Sequence, residues 1–167
     1  MTIKTGDRLP KGTLTQYVEV ESDSCAIGPN AFEVEEISKG KKIVVFAVPG
    51  AFTPTCSEKH LPGFVELAEQ IKAKGVDEIW CVSVNDAFVM SAWGRDQKVG
   101  EEVRMMADGS ALWTQDLGLS LDLTQRGMGV RSQRYALIAD DGVVTHLAIE
   151  APGAFDVSSA QSILAAL

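Results

Sequence analysis

The chain has 167 residues, of which 46% are hydrophobic and 23% charged, so one domain spanning residues 1–167 with its own apolar core is expected. The formal net charge of −8 excludes a phosphate-reading surface, since only the run from Lys39 to Lys42 clusters basic residues. No apolar run is long enough to cross a membrane, and the opening MTIKTGDRLPKG lacks the apolar centre of a secretory signal, so a cytoplasmic location is expected.

Residues 13–20, TLTQYVEV, alternate weakly and read as a strand. The polar stretch 21–30 reads as a loop or hairpin tip and holds Cys25. Lys39–Lys42 reads as a solvated turn. Residues 42–48, KIVVFAV, form an unbroken β-branched and aromatic run, the pattern of a strand covered on both faces. A helix follows, with Leu61, Phe64, Val65, Leu67, Ala68 and Ile71 at helical spacing and a stop at Lys72, Lys74 and Gly75. Pro62 lies inside this pattern and predicts a kink near residues 58–62, because it lacks an N–H and crowds the preceding turn.

Residues 78–84, EIWCVSV, predict a second buried strand. Asn85 or Asp86 caps the next helix, AFVMSAWGRD. A third strand at 103–108 and a short helix at 110–118 follow. Strands at 134–140 and 143–150 flank Asp141-Gly142, a strong hairpin signal. A last helix is expected over 158–166, capped by Asp156 or Ser158. This order predicts an α/β chain with a thioredoxin-like fold: a central mixed sheet flanked by helices, with an N-terminal strand extension.

The cysteines are Cys25, Cys56 and Cys81, with no Cys-x-x-Cys pair. Only His60 and His146 could supplement them as metal ligands, which is too few for a structural zinc site. Cys56 closes the stretch AVPGAFTPTC, residues 47–56, after a buried strand. With Thr53 as N-cap and Pro54 as the first helical residue, Cys56 falls in the first turn. Unpaired N–H groups and the positive end of the helix dipole then favour thiolate over thiol, and the thiolate is the nucleophile. A free thiol titrates near ~8.5, so a drop of about two units would leave the cysteine mostly ionised at neutral pH. Position alone leaves open a cysteine that merely occupies the capping region. Two features favour chemistry: α/β folds place sites at the ends of such strands, and Thr53-Pro-Thr-Cys56 replaces a redox Cys-x-x-Cys with one cysteine and one hydroxyl.

PGAFTPTCSEKHLPGF resembles the active-site segment of the peroxiredoxins. VSVNDAFVMSAW and RSQRYALIADDGVV resemble their type II subfamily, related to the fifth mammalian class, and the likeness runs over nearly the whole chain. The resemblance implies a thiol peroxidase acting on hydrogen peroxide and organic hydroperoxides, with no metal or prosthetic group. Cys56 would attack the O–O bond and become a sulfenic acid. Thr53 would orient the peroxide, Pro49 would shield the pocket, and Arg134 would stabilise thiolate and developing oxyanion. Arg131 is the second candidate among Arg126, Arg131 and Arg134. His60, one turn beyond Cys56, reads as an ordinary helix-face histidine, and Glu58 as support for the helix start.

Turnover needs a second thiol. Cys81 has the spacing of plant type II members and is the possible resolving residue. It lies on a buried strand, however, and a disulfide needs Cα atoms within about 7 Å. The C-terminal region EAPGAFDVSSAQS has serines where related proteins carry a resolving cysteine. An external thiol is therefore expected: glutathione with glutaredoxin first, thioredoxin second. A homodimer is expected, burying apolar residues such as Ala51, Phe52, Phe88 and Trp93. The rival readings are a thioredoxin-like thiol–disulfide oxidoreductase, disfavoured by the missing Cys-x-x-Cys, and a non-catalytic redox-sensing binding module.

Overall fold

A computed structural model describes residues 1–20 and 26–167. Seven strands form the main sheet, in the order β2-β1-β5-β4-β3-β8-β9. At its centre lie β3 (Lys42–Val48), β4 (Glu78–Ser83) and β5 (Arg104–Ala107), mutually parallel as the covered-strand pattern requires. The β8 strand (Tyr135–Asp140) runs antiparallel against β3, and β9 (Val143–Ile149) antiparallel against β8. On the other side, β1 (Thr13–Val20) and β2 (Ala26–Glu33) form an antiparallel ribbon that joins the sheet where Thr15 meets Ala107. This is the mixed α/β sheet with an N-terminal extension that the element order predicts.

Two apolar layers lie on opposite faces. One packs Val44, Phe46, Val48, Ile79 and Cys81 against α2 (Leu61–Ala73), α3 (Ala87–Asp96) and α5 (Ala160–Ala166). The other packs Ile43, Val45, Ala47, Trp80 and Val82 with Leu14, Trp113 and Tyr135. Alternation along β3 thus feeds both faces, and each large side chain fully removed from water contributes roughly 1.5–3 kcal/mol. The Asp141-Gly142 turn has φ of 48° and 79°, the paired positive values that a two-residue hairpin demands. Asp86 is the cap of α3, accepting from the Val89 N–H.

Several local expectations are corrected. Residues 26–30 belong to β2 rather than to a loop, because their backbone groups pair with β1; Cys25 lies outside the described residues. A short helix α1 (Val34–Ser38) precedes the basic turn and buries Val34. The helix expected at 110–118 is α4 (Leu112–Asp116). Strands β6 (Ser120–Leu123) and β7 (Gly129–Ser132) form a separate, unanticipated two-stranded sheet: β6, SLDL, alternates polar and apolar residues, but its partner GVRS does not. The cap of α5 is Ser159, whose hydroxyl accepts from the Ser162 N–H, rather than Asp156 or Ser158. Instead of a simple proline kink, residues Cys56–His60 form a π turn, closed where the Leu61 N–H donates to the Cys56 carbonyl. The wider turn sits directly before Pro62, which would crowd a tight preceding turn. Trp93 is fully buried, whereas Phe52 and Phe88 remain 53% and 62% exposed.

Candidate active site

The chain leaves β3 at Val48 and turns through Pro49 and Gly50 into Phe52, which adopts a positive φ of 63°. The Ser57 N–H donates to the Thr53 carbonyl at 2.9 Å, so Thr53 opens the helix and Pro54 takes the first helical position. The Thr53 hydroxyl does not cap it. That hydroxyl donates to the Gly50 carbonyl at 2.7 Å.

Two side chains from elsewhere hold this loop. Asn85 Oδ1 accepts from the Ala51 N–H at 3.0 Å and from the Ser83 hydroxyl at 2.6 Å. Arg131 donates through Nη1 to the Pro49 carbonyl at 3.3 Å and through Nε to the Met128 carbonyl at 2.9 Å. A Cβ on Gly50 would stand 2.8 Å from Arg131 Nη1 and 3.2 Å from Thr53 Cγ2, so a larger residue would push the guanidinium from its place on the loop. Arg131 thus supports the loop, and the contact with the sulfur falls to Arg134.

Arg134 directly precedes β8, the strand beside β3, and so arrives at the helix that follows β3. Its Nη2 donates to Cys56 Sγ at 3.1 Å. A guanidinium is always charged, so this bond is strongest when the sulfur is an anion. Its Nη1 donates to His60 Nδ1 at 2.9 Å, and His60 Nε2 lies 2.8 Å from the Ser158 carbonyl. A carbonyl only accepts and a guanidinium only donates. The imidazole therefore carries its hydrogen on Nε2 and offers the Nδ1 lone pair to Arg134.

His60 has no exposed surface, lying between Phe46, Phe64 and Phe155 at centroid distances of 5.0, 5.6 and 5.0 Å. Burial, reinforced by the Arg134 charge, pulls it from 6.5 down to about 3, against the opposing Ser158 carbonyl. It is neutral near pH 7. This corrects the reading of His60 as an ordinary helix-face residue. The available signal was spacing: Cys56, His60 and Phe64 recur every four residues on one buried face. Glu58 is exposed near the helix start.

Cys56 is fully buried beside Leu61 and Phe64 in an apolar layer, yet its sulfur is reached by a charged donor. A cleft of about 570 Å³ adjoins it, lined by Pro49, Thr55, Leu121, Arg126, Arg134 and Pro152. Pro49 and Arg134 therefore share a cleft wall, while Thr53 joins them through its bond to Gly50. Cys81 lies in the same buried layer as Cys56, paired in register with Phe46 and Met105. Burial pushes its thiol well above the usual range, and the nearby Cys56 adds to this, against the pull of Arg134.

A thioredoxin-like domain with a lone cysteine at a helix start, held by an arginine from the neighbouring strand, is a fold and site for thiol-based chemistry. The family model described as Redoxin matches residues 4–164. Peroxiredoxin-2B of Arabidopsis thaliana is 51% identical over 165 residues, covering 99% of this chain and 98% of that protein. Peroxiredoxin-2C of the same plant is 48% identical over 99% of this chain and 98% of its own. The structure of reduced Prx3 from Vibrio vulnificus in complex with H₂O₂ superimposes with a TM-score of 0.90 at 55% identity, covering 99% of both chains. The chain belongs to the redoxin family, and within it to the type II peroxiredoxins. It is a thiol-dependent peroxidase.

Proposed function

We propose that Cys56 is the attacking thiol of this peroxidase and that Thr53, Pro49 and Arg134 complete the reacting centre. The observation that carries the reading is the 3.1 Å bond from Arg134 Nη2 to Cys56 Sγ. The thiolate attacks one peroxide oxygen and forms the S–O bond as the O–O bond breaks. The sulfur is oxidised to a sulfenic acid, and the leaving oxygen departs as alkoxide or hydroxide and takes up a proton. Negative charge moves from sulfur towards the leaving oxygen, and a fixed guanidinium that donates to the sulfur and lines the adjoining cleft lowers the barrier. The Thr53 hydroxyl has given its hydrogen to the Gly50 carbonyl, so towards a peroxide it acts as an acceptor for the O–H. Pro49 supplies an apolar wall beside Arg134 in the adjoining cleft.

The sulfenic acid is cleared by an external thiol, glutathione with glutaredoxin first and thioredoxin second. The thiol sulfur displaces water to give a mixed disulfide, and a second thiol releases Cys56 and leaves as the external disulfide. Support comes from Cys81: its raised thiol and its place in the middle of the sheet, between Phe46 and Met105, make it a poor attacking group. The protein acts as a homodimer in the cytoplasm. For the dimer, the support is the exposed pair Phe52 and Phe88; Trp93 belongs to the core. One equivalent of peroxide followed by a sulfenic-acid trap and peptide mapping tests the centre. Rapid labelling at Cys56, absent in Cys56→Ser, is expected; equal labelling at Cys25 or Cys81 would overturn the assignment.

A further inference from the structure

Glu150, the residue after β9, is 94% removed from solvent by its 6% exposure and makes no ion pair among the described residues. A buried carboxylate without a cation needs several donors to be tolerable. It has three. Its oxygens accept from the Asp156 N–H at 2.7 and 2.9 Å, from the Val157 N–H at 2.9 and 3.2 Å, and from the Ser158 hydroxyl at 3.1 Å. All three belong to the segment that returns from Glu150 to α5. Its own backbone N–H donates to the Arg134 carbonyl at 3.0 Å.

These bonds close a circuit. The Glu150 backbone holds the Arg134 backbone, and the Glu150 side chain holds Ser158. The Ser158 carbonyl accepts from His60 Nε2, and His60 Nδ1 accepts from Arg134 Nη1. We propose that Glu150 is a positioning residue for the reacting centre: by clamping residues 156–158 it presents the Ser158 carbonyl that fixes the His60 tautomer, and His60 in turn aims the Arg134 guanidinium at Cys56. Without the clamp, the imidazole can place its hydrogen on Nδ1, where it faces the guanidinium donor and turns an attraction into a repulsion. The charged and titratable groups around the imidazole are Arg134 in front, Cys56 on its own turn, and Glu150 behind Ser158. The effect reaches the sulfur through geometry, since small misplacements of a positioned group cost large factors in rate.

The inference rests on Cys56 and Arg134 being the reacting pair. Its test is stopped-flow reaction of the reduced full-length protein with hydrogen peroxide, combined with ¹⁵N NMR of the histidine side chains. In the wild type, His60 should show a protonated Nε2 and a bare Nδ1. Glu150→Ala should react about tenfold more slowly and show mixed His60 tautomers. A wild-type rate, or a slowed rate with unaltered His60 signals, overturns the role of Glu150. If Glu150→Ala does not fold, Glu150→Gln decides, because its amide NH₂ opposes the backbone donors. A loss of about threefold with a mixed His60 signal then supports the proposal, and wild-type rate or signal overturns it. Arg134→Ala is measured alongside. A wild-type rate there sinks the reacting pair itself, whereas slow Arg134→Ala beside fast Glu150→Ala sinks only the clamp.

Discussion

Arg134 and Cys56 are 78 residues apart in the chain and 3.1 Å apart at Nη2 and Sγ. The antiparallel pairing of β8 with β3 produces this meeting. Ala47 pairs with Tyr135, so the residue before β8 and the loop after β3 emerge at the same end of the sheet. The same guanidinium also holds His60 through its other terminal nitrogen, so its two-pronged shape is used in full.

That shape governs the first prediction. Arg134→Ala removes a preorganised donor from the developing charge, and the second-order rate with peroxide should fall about 10²–10³-fold. Arg134→Lys keeps the charge but not the planar fork that serves Cys56 and His60 together, and should recover only part of the loss. Stopped-flow fluorescence on the reduced protein measures both; a lysine variant at full rate would show that charge alone suffices.

Cys81 should be silent in the native protein. Its buried, raised thiol predicts slow alkylation in the folded state and rapid alkylation after denaturation, read by intact mass. Cys81→Ser should keep peroxidase turnover with glutathione and glutaredoxin. Loss of turnover there would assign Cys81 the resolving role.

Acid should loosen the fold through His60. The unfolded imidazole takes its proton near 6.5, and the folded one only at about 3. Below 6.5 the unfolded state binds more protons, so stability falls as pH falls. Within the window from 6.5 down to about 3, this residue alone lowers the folding constant by up to about tenfold per pH unit; above 6.5 it contributes no slope. Urea titrations at a series of pH values, compared between wild type and His60→Phe, isolate the effect. The variant should show a flatter dependence below 6.5.

The π turn carries a stability prediction. Trp93 Nε1 donates to the Ser57 hydroxyl at 3.0 Å, and the indole is fully buried. Ser57→Ala leaves that donor without its partner, at a cost of about 1–3 kcal/mol. Chemical denaturation measures it. The adjacency of Trp93 to the turn that starts with Cys56 also makes indole fluorescence the natural probe of Cys56 oxidation.

The central strands were legible because they are buried on both faces. KIVVFAV and EIWCVS have no polar alternative to a covered sheet, and Asp141-Gly142 has few alternatives to a tight hairpin. The π turn was only half legible. Pro62 announces an irregularity, but whether the preceding turn kinks or widens depends on which carbonyl accepts the Leu61 N–H. The β6–β7 ribbon was only half legible, since SLDL alternates as a strand should but its partner GVRS does not, and α1 is a helix of only five residues.

From the chain alone one can read a lone cysteine at the opening of a helix, a hydroxyl three residues before it, and an arginine ahead of a strand. These are local features, set by backbone conformation and neighbouring residue types. The long-range partnerships were decided only on folding: Arg131 on the Pro49 carbonyl, a neutral His60 behind the guanidinium, and Glu150 behind Ser158. Hydrogen-bond donors and acceptors act over about 3 Å, and sequence separation says nothing about who stands that close until the strands have paired.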